Sequence, residues 1–448
     1  MGKLGVPLHY TRHNKGESML KGRIFAGLST LYTAMLAAAF TVSVAPVQAA
    51  EPVDEEALFK EGMQALEEDR LKTAMEAFQS ILSMQPRLHR ARLELALAYY
   101  RSLQYAQARE LAQTVLDDPQ TPPEVRVTVL AFLAQIQSDE NAMAQRHIFK
   151  PSISAGAMYD SNVNVGPGTE FIDELPGFIL TPDSTREGDG ASVLTAGLAH
   201  TFQPGKIFEF GERPAAFLWQ SQASLYDRAY QDMEDYDLTI LTGSTGPALV
   251  MLRHWRANLA LNVDRIWLGG NELAWYTSLN PAVTWQFTDG ELTWDATVTD
   301  RRYDETTDAG REGTYLGTGL ALGNYFQQRK VATQVGARLV GFNADDDFLG
   351  YDGYELLAGL IIKAWPNGTL YVRANYRDVD YDATDPGFTE ARDETETRLA
   401  GGFEHDIASG YLEKWTLYGG ILYTGNRSNL SIYEYDRRQI TLNLGRTF

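Results

Sequence analysis

Hydrophobic and polar positions follow two rhythms along this chain. Up to about residue 147 apolar residues recur every three or four positions, as in Ala74, Phe78, Ile81 and Leu82, which predicts amphipathic helices. Beyond that point apolar and polar residues alternate over stretches of 10 to 15 residues separated by turn signals, which predicts strands. The composition changes at the same place. Between Ala50 and Lys150 there is one glycine, Gly62, and no tryptophan, whereas 33 of the 39 glycines and all eight tryptophans follow Pro151. Two architectures are joined here.

A third pattern precedes both. The longest apolar run, Ile24 to Ala49, follows Lys21 and Arg23 and ends in Val47-Gln48-Ala49. Basic, apolar and small segments in that order predict a secretory signal peptide over residues 1–49, with Met19 as an alternative start. A permanent membrane anchor is the competing reading.

The helical part, residues 50–147, carries a period of 34 residues. Gly62 aligns with Ala96, Leu66 with Tyr100, Ala74 with Ala108 and Leu82 with Leu116. Small residues fall where paired helices must approach closely, and Pro86 stops the second helix. This pattern resembles the tetratricopeptide family, with two repeats from Glu55 and His89 and a capping helix from Pro123 to Gln137. Ala112 (not aromatic) and Gln120 (not proline) depart from it, and an ordinary amphipathic bundle is the alternative. In that family the first helix of each pair lines a concave groove for an extended peptide. The resemblance therefore implies a client groove at Phe59, Met63 and Leu66 in the first unit and at Arg90, Leu93, Leu97, Tyr100 and Arg101 in the second. Leu66, Leu93 and Leu97 serve equally well as packing between helices. Phe59, Tyr100 and Arg101 are the better hot-spot residues by type.

Residues 148–448 divide into fourteen strands, an even number. Tight connections such as Asp289-Gly290 and Pro366-Asn367-Gly368 alternate with long acidic ones such as 161–189 and 383–394. Short turns on one side and long loops on the other predict a closed antiparallel transmembrane β-barrel. In one strand Trp275, Leu279, Val283, Trp285 and Phe287 share a face opposite Tyr276, Ser278, Asn280, Thr284 and Gln286. A soluble sandwich would alternate too, but its strands are usually half this length. Arg338, Arg373 and Arg377 fall on the face assigned to the lumen. The fold class is thus α + β multidomain: an N-terminal helical unit and a 14-stranded barrel.

Charge and composition narrow the function. Thirty-nine Lys+Arg against 59 Asp+Glu give a net charge of −20, which argues against nucleic acid as a partner. Without cysteine there is no disulfide scaffold, thiolate metal site or acylated lipoprotein N-terminus. No short histidine pattern suggests a metal, and no glycine-rich phosphate loop suggests a nucleotide, so no cofactor is expected. His200, His254 and His405 lie within or at the ends of strands without a nucleophile motif, so an enzyme is not expected. Asp345-Asp346-Asp347 and 378–385 are read as solvated acidic loops in preference to calcium sites.

Two local patterns carry the remaining signal. Ile440, Leu442, Leu444 and Phe448 form one apolar edge of the last strand, interrupted by Arg446. They resemble the terminal signal by which outer-membrane proteins reach the barrel-assembly machinery. Just after the composition break stands Asp160-Ser161-Asn162-Val163-Asn164. With the leader, the short repeat domain and the barrel, this motif resembles the surface lipoprotein assembly modulator (Slam) family. That resemblance implies an outer-membrane translocator with its N-terminal domain in the periplasm. Its partners would be a surface lipoprotein or secreted haem-binding-type client, the assembly machinery and outer-membrane lipid. An exopolysaccharide export barrel with a tetratricopeptide scaffold, and a passive porin, are the alternatives.

Overall fold

The computed structural model describes residues 54–448, so the expected signal peptide lies outside the described residues. Among the described residues five helices come first: α1 (Glu55–Glu67), α2 (Leu71–Met84), α3 (His89–Arg101), α4 (Tyr105–Asp117) and α5 (Pro123–Ala144). They stack in chain order, α1 to α3 around Leu66, Leu71, Phe78, Ile81, Ala91 and Leu95, and α4 with α5 around Ala112, Val115 and Val129. Full burial of such side chains contributes about 1.5–3 kcal/mol each. Small residues set the helix spacing. A Cβ at Gly62 would lie 2.8 Å from the Phe78 ring, so α1 crosses α2 only with glycine there. Ala74, Ala96 and Ala108 are fully buried at their crossings.

Both departures from the repeat pattern have a structural reason. Ala112 is completely buried against Val115 and Val129, where α5 closes on α4. Gln120 follows the end of α4, and Pro122 and Pro123 begin α5 in its place. The capping helix runs seven residues beyond the expected Gln137, because neither glycine nor proline interrupts the chain before Ala144. Asp69 and Leu103 stand one repeat apart and reverse the chain between paired helices with φ of 54° and 63°. Neither is the glycine that usually marks such a turn.

Fifteen strands follow: β1 (His147–Asp160), β2 (Asp189–Phe202), β3 (Ile207–Phe210), β4 (Arg213–Tyr230), β5 (Leu238–Met251), β6 (Trp255–Leu268), β7 (Asn271–Phe287), β8 (Gly290–Tyr303), β9 (Gly313–Phe326), β10 (Val331–Ala344), β11 (Tyr351–Trp365), β12 (Gly368–Thr384), β13 (Ala391–Asp406), β14 (Thr416–Ser428) and β15 (Tyr435–Thr447). Fourteen of them form one closed antiparallel wall, in which β1 pairs with β15 and β2 pairs with β4. The extra strand, β3, pairs only with Arg213–Ala216 of β4. It forms a rim hairpin with the start of β4 in the connection that follows β2.

Alternate residues point to opposite faces of the wall. Leu339 is 67% exposed, and Val372, Ile440, Leu442 and Leu320 are similarly open on the outer face. Left in water, each would forgo about 2 kcal/mol of burial, so a band of them needs lipid as solvent. No helix among the described residues is long and apolar enough to cross a membrane. Aromatics gather at both ends of the outer face. His147, Phe149, His200 and Phe202 stack at the short-turn end, with Phe149 and His200 centroids 4.5 Å apart. At the long-loop end the Arg265 guanidinium lies 5.4 Å from Trp267 and 4.9 Å from Trp275, paired with Glu272 and Asp304.

Candidate functional site

The residues expected to line a client groove lie on α1 and α3. Phe59 packs edge-on against Phe78, and the Arg90 guanidinium stacks 4.6 Å above the Phe59 ring. Arg90 itself is exposed. Met63 and Leu97 pack against the main helical core, Leu66 is part of it, and Leu93 packs toward Val115 and Val129. The Tyr100 hydroxyl donates to Asp139 of α5, and its ring packs between Tyr105 and Phe132. Burial and that hydrogen bond push the phenol up to about 12. Arg101 donates to the Leu66 carbonyl at 2.7 Å and faces Asp69 at 3.5 Å. Tyr100 and Arg101 thus engage partners inside the helical unit, while Arg90 and Phe59 present a stacked pair at its surface.

Three contacts tie the helical unit to the short-turn rim. The Glu212 carboxylate, in the turn between β3 and β4, accepts the Thr73 backbone N–H and the Thr73 hydroxyl, each at 2.9 Å. The Thr73 backbone bond is the main reason its carboxyl is held below the usual range. Arg213 donates to the Glu68 carbonyl at 2.9 Å. His254, between β5 and β6, lies 3.1 Å from Asp69. Asp69 therefore bridges Arg101 and the barrel from a left-handed turn. Nothing in the sequence singled out Glu212, Arg213, Thr73 or Asp69. The only available signal was an acidic residue where a repeat turn usually places glycine.

At the other rim the Asp-Ser-Asn-Val-Asn motif ends β1 and starts the loop over 161–188. Asp160 is fully buried and accepts from Arg437 Nε at 3.0 Å, Gln439 at 2.7 Å and the Tyr230 hydroxyl at 2.9 Å. Ser161 extends the ladder to β15: its N–H donates to the Arg438 carbonyl, and its hydroxyl accepts from the Arg438 N–H, both at 2.9 Å. Asn162, also fully buried, donates to the carbonyls of Gly166 and Asp436. Asn164 donates to the Thr185 carbonyl at 2.6 Å and accepts the Glu187 N–H. Glu174 accepts from Ser431 in the loop between β14 and β15. The motif fastens the first loop to the barrel mouth.

The arginines assigned to the lumen lie on its inner face. Arg338 pairs with Asp295 at 3.0 Å and donates to the Thr297 hydroxyl at 2.8 Å. It crosses Gly317 and Gly319 on β9 to do so; a Cβ at Gly317 would stand 2.8 Å from its Nε. Arg373 stacks on Tyr371, and Arg377 stacks on Tyr351 with Glu355 at 3.8 Å. Near the long-loop end the interior is packed. Val340, Phe342, Tyr351 and Val379 are buried together, and Arg301 lies over Tyr276, Tyr315 and Phe342. Toward the short-turn end the wall is polar, with a cavity of about 230 Å³ beside Gln220, Gln222, Ser244 and Asn258.

On the terminal strand Ile440 and Leu442 are exposed on the outer face, and Leu444 on the same face is half-buried. Their partners on β1 are Tyr159, Ala157 and Ala155. The Phe448 N–H donates to the Pro151 carbonyl at 2.9 Å, and Arg446 stacks over the Phe448 ring at 4.7 Å. Arg446 thereby stays beside an aromatic at the rim, where its charge can reach water. The histidines are likewise occupied: Trp365 donates to His405, and His147 lies 3.0 Å from His200. No group of three or more acidic, histidine or cysteine side chains among the described residues is placed to hold a metal.

Residues 65–136 match the tetratricopeptide-repeat family. That match covers helices α2 to α4 with parts of α1 and α5, and stops before the barrel. Among solved structures the chain is similar to the outer membrane protein OpdK from Pseudomonas aeruginosa, at 9% identity and a TM-score of 0.34, covering 67% of this chain and 98% of that one. OprD from Pseudomonas aeruginosa matches at 12% and 0.34, covering 67% and 95%. OccAB4 from Acinetobacter baumannii matches at 10% and 0.33, covering 68% and 99%. No curated protein matches the chain in sequence.

Proposed function

We propose that this protein moves a polypeptide client across the outer membrane, taking it from the periplasm at the tetratricopeptide-like unit. The observation that carries this reading is the attachment of that unit to the short-turn rim by Glu212, Arg213 and His254. Short turns face the periplasm in outer-membrane barrels, so a peptide-holding surface sits beside the barrel entrance. An unfolded client exposes apolar segments, and Phe59 with Arg90 above it is the kind of aromatic–cation pair that anchors such segments. The Asp160–Asn164 motif supports a Slam-like client, a surface lipoprotein or a secreted haem-binding-type protein. The assembly machinery and outer-membrane lipid are the other expected partners.

A passive solute channel is the second reading, favoured by the polar wall around Gln220, Gln222 and Asn258. Surface protease shaving of candidate lipoprotein clients, in cells with and without this protein, separates the two. Translocation predicts client exposure that depends on this protein, with total client unchanged. Equal surface exposure in both strains would leave the channel reading.

A further inference from the structure

Arg377 on β12 and Arg392 on β13 line one cavity of about 260 Å³ inside the long-loop mouth. Arg392 is only 9% exposed. Its guanidinium lies 3.7 Å from the centre of the Tyr381 ring and 4.0 Å from that of Tyr433. A planar cation held between two rings keeps its N–H donors along its edge. Arg377 lies over one ring, 4.6 Å from the centre of Tyr351. The nearest carboxylates are Glu394 at 3.5 Å from Arg392 and Glu355 at 3.8 Å from Arg377, and each arginine buries an Nε without a partner. Arg338 also buries an unpartnered Nε, but unlike this pair both Arg338 and Arg437 donate to side chains at hydrogen-bond distance. The other acidic residue in the cavity wall, Glu396, is already taken by Arg398 at 2.8 Å and by Tyr435.

The first loop roofs this cavity through Val165. That β-branched residue is held at φ 54°, in the left-handed region it disfavours. Asn162 and Asn164 hold it there, since both side-chain oxygens accept the Gly166 N–H. Backbone strain of this kind, fixed by surrounding hydrogen bonds, concentrates at ligand sites.

We propose that the cavity binds a small monocarboxylate, with the guanidinium edges of Arg377 and Arg392 as its receptor and Val165 as its roof. A carboxylate matches the paired donors of a guanidinium edge. A doubly charged phosphate would meet Glu394 and Glu396 in the same wall, so a single compact charge is preferred. This proposal is independent of what the barrel transports.

The test uses the full chain in detergent micelles, with butyrate as probe and saturation-transfer NMR as readout. Saturable butyrate binding is expected in the wild type and in Arg373→Gln, a lumen arginine outside the cavity. Arg392→Gln should weaken it about tenfold or more, the loss of a charge-assisted pair. Butyramide and inorganic phosphate should bind at least about tenfold more weakly than butyrate. If Arg392→Gln loses the heat-modifiable folded barrel, Arg377→Gln serves in its place with the same expectation. Absence of saturable binding, equal affinity in the folded arginine variant, or equal binding of butyramide or phosphate would overturn the proposal.

Discussion

At the short-turn rim the helical unit is held by a few partly exposed contacts, Glu212 to Thr73, Arg213 to Glu68 and His254 to Asp69. At the long-loop rim Asp160 and Asn162 are wholly buried, and their side chains are tied to β15, β4 and the first loop. The contrast bears on function. Isolated, partly exposed contacts contribute modestly each and can be released, whereas breaking a buried pair leaves an uncompensated charge. The short-turn end is built to be adjustable and the mouth to be fixed.

The largest effect should come from the mouth. Asp160→Ala leaves Arg437 and Tyr230 without their partner, and a broken buried pair costs about 3–5 kcal/mol. Urea unfolding of the refolded barrel should show a loss of that size; a loss under about 1 kcal/mol would mean that the network is not structural. Gly62→Leu comes next, because its side chain would collide with Phe78. Overpacking of this kind costs about 1–3 kcal/mol. It should lower the melting temperature of the helical signal while the heat-modifiable barrel still forms.

Smaller effects should appear at the short-turn rim. Glu212→Ala removes two hydrogen bonds to Thr73, about 1–3 kcal/mol of docking together, with barrel stability unchanged. Faster hydrogen exchange at the start of α2 would report it. The same contact predicts a pH dependence. Glu212 has its carboxyl lowered in the docked state, so its contribution is full above the unperturbed value of about 4.3 and is lost as pH falls through the lowered one. Exchange protection of α2 should therefore decline on acidification below about pH 4.3 in the wild type, and not in Glu212→Ala. Arg90→Ala should be smallest on stability, within about 0.5 kcal/mol, because Arg90 is exposed.

Much of this architecture was legible because each region repeats a simple rule. The 34-residue spacing marked Gly62, Ala74, Ala96 and Ala108 as crossing points, and all four are buried at helix contacts. Period-two alternation assigned Trp275 and Leu279 outward and Tyr276 and Ser278 inward, and it counted the fourteen strands of the wall. The rim hairpin of β3 was not legible, since four residues are too few for a period to register. Contacts such as Asp160 with Arg437 were invisible for another reason. They join residues nearly three hundred positions apart, and no local pattern names the partner. Tyr100 and Arg101 show the limit of residue type as evidence: both suit a binding surface, and both have partners within the domain.

The proposed function has a polypeptide pass from the Phe59–Arg90 surface of α1 and α3 into the barrel. A photo-crosslinking residue placed at Arg90, and separately at Asn280 on the inner face of β7, tests it in living cells during client export. The account predicts crosslinks to the client from both positions, with the Arg90 adduct appearing first in a pulse. Surface display of the client without any crosslink at Asn280, or no client adduct at either position, would contradict it.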